Sequence, residues 1–137
     1  DAAHFDQAAA RLAEQYNAFS PLPGMSINGK LTLGENIADL TGITIAWRAY
    51  QASLDGREPP VIDGFTGAQR FFIGFAQAER AKMRDELLRS LLVSDPHSPS
   101  EFRVIGVLRN FTPFYEAFGV KEGDGMYLAP EQRVKIW

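Results

Sequence analysis

The chain has 137 residues, 45% hydrophobic and 23% charged, with a net charge of −3, which suits one globular domain or one lobe of a larger one. So small a charge, with Lys and Arg dispersed, gives no basis for a nucleic-acid partner, and no apolar run approaches the roughly 18 residues of a membrane span. The chain holds no cysteine, so disulfide frameworks and thiolate sites are excluded and the redox compartment is left open.

Residues 1–19 read as an amphipathic helix, because Phe5, Ala8, Ala9, Leu12, Tyr16 and Phe19 recur at three- and four-residue spacing. Asp1 is the expected N-cap, and Pro21 and Pro23 end the helix. Asn28-Gly29 lies between Ile27 and Leu31, a tight-turn signal that fits a small hairpin or an irregular loop. The strongest helix is expected over residues 33–53, with Leu33, Ile37, Leu40, Ile43, Ala46, Trp47 and Tyr50 at helical spacing. Thr32 and Glu35 form a capping-box pattern at its start. Gly42 inside it suggests a close helix crossing, since glycine there costs about 1 kcal/mol relative to alanine.

Residues 54–65 read as a loop. Thr66 and Gln69 form a second capping box, opening a helix with Phe71, Phe72 and Phe75 that runs to about Arg80. A further helical stretch extends through Leu92. The prolines of Asp95-Pro96-His97-Ser98-Pro99-Ser100 require a loop. Phe102 to Leu108 fits a strand or a short helix equally well. Thr112 as N-cap with Pro113 at the first helical position starts a short helix that Gly119 stops. The fold class is therefore mainly α, with little β.

Two segments carry candidate chemistry. In Gly34-Glu35-Asn36-Ile37-Ala38-Asp39 the two acids lie four residues apart, on one helix face. Their mutual repulsion would be relieved by a cation. A zinc ion takes a carboxylate oxygen directly, and a ligating histidine gives its other N–H to a second carboxylate. On spacing alone Glu35 also serves as the capping-box partner of Thr32, and Asp39 as an exposed helix residue. In the second segment His97 and Arg103 are suited to stabilise an oxyanion and to bind substrate oxygens. Taken alone, His97 would more often be a surface loop residue and Arg103 a structural ion-pair partner.

The string from Gly34 to Asp39, followed by Gly42 and Trp47-Arg48-Ala49-Tyr50, resembles the GENIAD-containing helix of the neprilysin and endothelin-converting-enzyme family of zinc metalloendopeptidases. His97-Ser98-Pro99 with Phe102-Arg103-Val104 resembles the same family's H-S-P-x-x-F-R-V segment. Further likeness runs through Phe71 to Gln77, Asn110 with Phe114 to Phe118, and Met126, Tyr127, Pro130 and Trp137. The resemblance implies the C-terminal helical lobe of a thermolysin-like catalytic domain. It implies that Glu35 is a zinc ligand, that Asp39 orients a ligand histidine, that His97 stabilises the oxyanion and that Arg103 contacts the substrate backbone. Zinc is then the cofactor, a peptide the substrate, and an extracytoplasmic location is expected.

The chain departs from that pattern in three places. The family's H-E-x-x-H helix, with two ligands and the general base, is absent and is expected upstream of Asp1 in the same polypeptide. His4 belongs to no matching motif and reads as an exposed helix residue. A catalytic zinc needs three protein ligands, so the isolated piece is expected to bind zinc weakly and to be inactive. After Gln77, where the family commonly has valine and a bulky aromatic, this chain has Ala78-Glu79-Arg80. Val134 stands where mammalian members have a cysteine, as in cysteine-poor bacterial relatives. Phe71, Phe72 and Phe75 read as core rather than substrate contact. The alternative function is a helical interaction or scaffold module that kept the fold and lost catalysis. A third reading is a self-contained metal site from His4, His97 and Glu35.

Overall fold

A computed structural model describes residues 1–136, so the match at Trp137 lies outside the described residues. Six helices follow one another: α1 (Ala2–Asn17), α2 (Leu33–Leu54), α3 (Gly67–Ala78), α4 (Asp85–Ser94), α5 (Ser100–Leu108) and α6 (Thr112–Phe118), with a 3-10 turn at Pro130–Gln132. Among the described residues β structure is limited to two isolated bridges, Leu22 with Met25 and Ile62 with Phe65.

Helix α2 is the axis of the molecule. It packs on α1 and α5, α1 also touches α5, and α3 packs on α6. The face of α1 read from the sequence is the buried one, carrying Ala8, Ala9, Leu12 and Tyr16. Asp1 stands at its N-cap position without a side-chain cap. Asn36, Leu40 and Ile43 are the buried residues of α2. Beyond them Trp47 stacks on Phe72 at 5.1 Å and meets Phe71 edge-on at 5.1 Å. Phe72, 1% exposed, is ringed further by Phe111 and Phe114. Burying such a side chain stabilises by about 1.5–3 kcal/mol, and each well-placed ring pair adds about 0.5–1.5 kcal/mol. The phenylalanines of α3 thus belong to the core cluster, Phe72 fully and Phe71 and Phe75 in part.

Several local expectations are borne out and others are corrected. The Thr66–Gln69 capping box is present, with Gln69 N–H donating to Thr66 Oγ1 at 3.2 Å and Thr66 N–H to Gln69 Oε1 at 3.0 Å. Residues 102–108 are helical, within α5. The last helix starts one residue earlier than expected, with Phe111 as N-cap and Thr112 inside it, and Gly119 ends it at φ 65°. The Thr32–Glu35 box does not form: Thr32 makes no side-chain cap, and its hydroxyl bonds Asn28 O and Asn36 instead.

Asn28-Gly29 turns no hairpin. Asn17 Oδ1 accepts from Gly29 N–H at 2.7 Å, and a Cβ on Gly29 would lie 2.0 Å from the Ala13 carbonyl oxygen. That glycine lets the loop lie against α1. Gly42 is exposed and has no neighbour within 4 Å of a built Cβ, so among the described residues no helix crosses there. The close crossing is at Gly106 of α5, where a Cβ would meet the Tyr16 ring at 2.4 Å.

The C-terminal segment is fastened by Asn110, 3% exposed. Its amide accepts from Val134 N–H at 2.7 Å, donates to Gly106 O at 2.8 Å and exchanges bonds with Gln15 on α1. Arg133 lies 3.7 Å over the Tyr115 ring, and Tyr115 Oη binds the segment at Leu128 N–H.

Candidate active site

The first turns of α2 face the loop before α5 and the first turn of α5 itself. This brings together all four residues singled out from the sequence. Glu35 Oε2 lies 3.2 Å from His97 Nε2, both side chains partly open to solvent at 41% and 47%. Asp39 takes Arg103 in a bidentate pair, Oδ2 accepting from Nε at 2.8 Å and Oδ1 from Nη2 at 2.7 Å. That pair is more enclosed, at 15% and 25% exposure. His4 is exposed on α1. Among the described residues no three of His, Cys, Asp and Glu converge to hold a metal, so the self-contained site of His4, His97 and Glu35 is not formed.

The helical spacing of Glu35 and Asp39 sets their common face, and Thr32 leaves Glu35 free of capping duty. What holds the loop to the helix is a buried polar relay. Ser98 Oγ donates to Asn36 Oδ1 at 2.8 Å, and Asn36 Nδ2 donates to Thr32 Oγ1 at 2.9 Å. Thr32 in turn donates to Asn28 O at 3.2 Å. Asn36 is 1% exposed and Ser98 3%. In so dry a place an unmatched amide oxygen would cost about 1–3 kcal/mol, so the relay fixes one position of the loop. Because Asn36 follows Glu35 and Ser98 follows His97, it also fixes those two side chains relative to one another.

Asp95 orients the histidine ring. It accepts from His97 N–H at 2.8 Å and lies 2.7 Å from His97 Nδ1. The backbone N–H first, and the ring second, hold the Asp95 carboxyl below the usual carboxylate range. An ionised carboxylate only accepts, so Nδ1 carries the proton and Nε2 is the atom turned toward Glu35.

Arg103 is held above its ordinary range mainly by its hydrogen bonds to Asp39; burial opposes this, while the charges of Asp39, Glu79 and Glu35 add to it. It therefore stays a fixed cation. The phenol of Tyr16, fully buried, is pushed up by burial and then by the Asp39 charge, with Arg103 opposing. Its hydroxyl has no hydrogen-bond partner among the described residues, and it forms a neutral wall beneath α5. A cleft of about 150 Å³ opens between α4 and the start of α5, with His97 and Arg103 in its lining.

Asn36, Ser98, Asp95 and Glu79 were not picked out as site residues from the sequence. The first two sit inside the two motifs, each beside a residue that was. Residues 1–134 match the profile of peptidase family M13.

The chain belongs to peptidase family M13. It is 38% identical to neprilysin-3 of Drosophila melanogaster, over 97% of this chain and 17% of that protein. It is 42% identical to endothelin-converting enzyme 1 of Rattus norvegicus, over 97% of this chain and 18% of that protein. The crystal structure of the Mycobacterium tuberculosis zinc metalloprotease ZMP1 in complex with an inhibitor superimposes with a TM-score of 0.97 at 48% identity. That match covers 100% of this chain and 22% of ZMP1. The fold is thus the helical lobe of M13 peptidases, and the chain spans about a fifth of the length of the relatives it matches.

Proposed function

We propose that this chain is the C-terminal part of a zinc-dependent metalloendopeptidase and holds one zinc ligand together with the groups that bind the scissile peptide. The observation that supports this most is the meeting of Glu35 with His97 at 3.2 Å, beside the Asp39–Arg103 pair. A capping role would have turned Glu35 back onto Thr32.

The donor chemistry fits zinc in part. Glu35 offers a half-open carboxylate, and a catalytic zinc takes three protein ligands, so two come from the upstream part of the same polypeptide, as an H-E-x-x-H helix. Zinc, when bound, supplies Lewis-acid polarisation of the scissile carbonyl and activation of a water. Glu35 holds the ion. Asp39 keeps lone pairs free beyond those that Arg103 occupies and orients a ligand histidine. His97, its Nδ1–H fixed by Asp95, presents Nε2 to the oxyanion, and a well-placed donor of this kind is worth about 3–4 kcal/mol. Arg103 binds a backbone oxygen of the peptide. The isolated chain binds zinc weakly and is inactive, and the whole protein works outside the cytoplasm. Among the described residues no helix is long and apolar enough to cross a membrane.

In the full-length protein, Glu35→Gln is expected to lower bound zinc and to cut peptide hydrolysis by at least ~100-fold, above the loss typical of residues that merely support a ligand. Wild-type zinc content and wild-type hydrolysis would remove the assignment. A degraded H-E-x-x-H motif upstream would instead favour the scaffold module.

A further inference from the structure

The Arg103 guanidinium is engaged on one edge. Nε and Nη2 donate to Asp39, whereas Nη1 makes no hydrogen bond among the described residues. The acceptor nearest to it in the ion pairs is Glu79 Oε2 at 3.8 Å, too long for a hydrogen bond and within ion-pair range. Glu79 is the C-cap of α3, so it reaches Arg103 from a different element than Asp39 does. Its side chain is 23% exposed, which leaves its charge only partly hydrated. A guanidinium is a rigid fork of five N–H donors. With Asp39 on one edge, the Nη1 donors carry no hydrogen bond among the described residues, and Glu79 stands beside them.

We propose that Glu79 is a specificity-determining residue, which makes the open edge of Arg103 accept a neutral peptide carbonyl and reject a free carboxylate. This rests on the reading of Arg103 as a substrate contact. The single positive charge of Arg103 already faces two carboxylates, Asp39 and Glu79. A substrate carboxylate at Nη1 would be a third anion on the same cation, in a partly buried place where salt screens poorly. An amide carbonyl takes the same hydrogen bonds without net charge. Like-charge juxtaposition of this kind is a usual way of excluding a wrong ligand. The device would favour bonds inside a peptide over those whose C-terminus would land on Arg103.

The test uses full-length protein freed of zinc by chelation. Peptides identical except for a terminal carboxylate or carboxamide are shortened one residue at a time, and binding is measured calorimetrically at low salt. At the length that places the terminus on Arg103, the wild type is expected to bind the amide about tenfold more tightly than the acid. Glu79→Gln should narrow that ratio to about twofold, and Glu79→Asp should keep most of it. An equal acid-to-amide ratio in wild type and Glu79→Gln at every length would overturn the proposal, as would Glu79→Gln weakening both peptides equally. Restoring zinc tests the other reading separately. A ratio that changes without any hydrolysis supports the role of Glu79 and defeats the peptidase; hydrolysis with an unchanged ratio does the reverse.

Discussion

The two halves of α2 do different work. Its second half presents Trp47 and Tyr50 to the rings of α3, and Phe72 at the centre of that cluster is 1% exposed. Its first half presents Glu35 and Asp39 to a histidine and an arginine, and there an amide and two hydroxyls are buried alongside the apolar Leu40 and Ile43. The aromatic half is held by non-directional burial, so close relatives of its side chains would serve. The polar half is held in addition by directed hydrogen bonds, whose loss strands a buried polar group. The contrast is what the proposed function requires of the first half.

The sharpest way to break the contrast is at the aromatic half. Phe72→Ala should destabilise the full-length protein by about 3–5 kcal/mol, seen as a lower denaturation midpoint, with kcat/KM of the surviving folded fraction near wild type. A large kcat/KM loss at unchanged stability would reverse the assignment of the two halves. Ser98→Ala comes next. It strands Asn36 Oδ1 in a dry site, at about 1–3 kcal/mol, and it frees the His97 loop. Hydrolysis is expected to fall about 10–100-fold, the usual loss when a supporting residue goes. The loss should appear in kcat rather than in bound zinc.

The smallest effect belongs to Asp95. Its carboxyl is depressed in the folded state, so its contribution is present above the unfolded carboxylate range near pH 3.9. It is lost as pH falls through the lower folded value. The group is partly exposed and screened, and about 0.5 kcal/mol is expected. Wild type and Asp95→Asn should differ in stability at pH 7 and converge under strongly acid conditions. A constant difference down to pH 2 would mean the Asp95–His97 contact contributes nothing.

Much of the frame is legible in the chain's own pattern. Leu12 and Tyr16 on α1, Leu40 and Ile43 on α2, and the Thr66–Gln69 cap all follow from spacing and local chemistry. The candidate site could be proposed because Glu35, Asp39, His97 and Arg103 sit in two specific strings. What stayed hidden depended on partners far away in sequence. Residues 102–108 fit strand or helix until Gly106 meets Tyr16. Gly42 and Gly106 look alike locally, and only the tertiary crossing shows which one needs the absence of a Cβ. Thr32 and Glu35 match a capping box, yet Asn36 claims the threonine hydroxyl. The partner of that amide, Ser98, lies 62 residues on. Glu79 reads as a departure from a family pattern, and its ion pair with Arg103 follows only from how α3 ends.

The most direct test of the central claim is anomalous diffraction at the zinc edge from crystals of the full-length protein. A zinc peak about 2.0–2.2 Å from a Glu35 carboxylate oxygen is expected, with His97 and Arg103 facing it across the same gap. A zinc peak elsewhere, with Glu35 still paired to His97, would contradict the account.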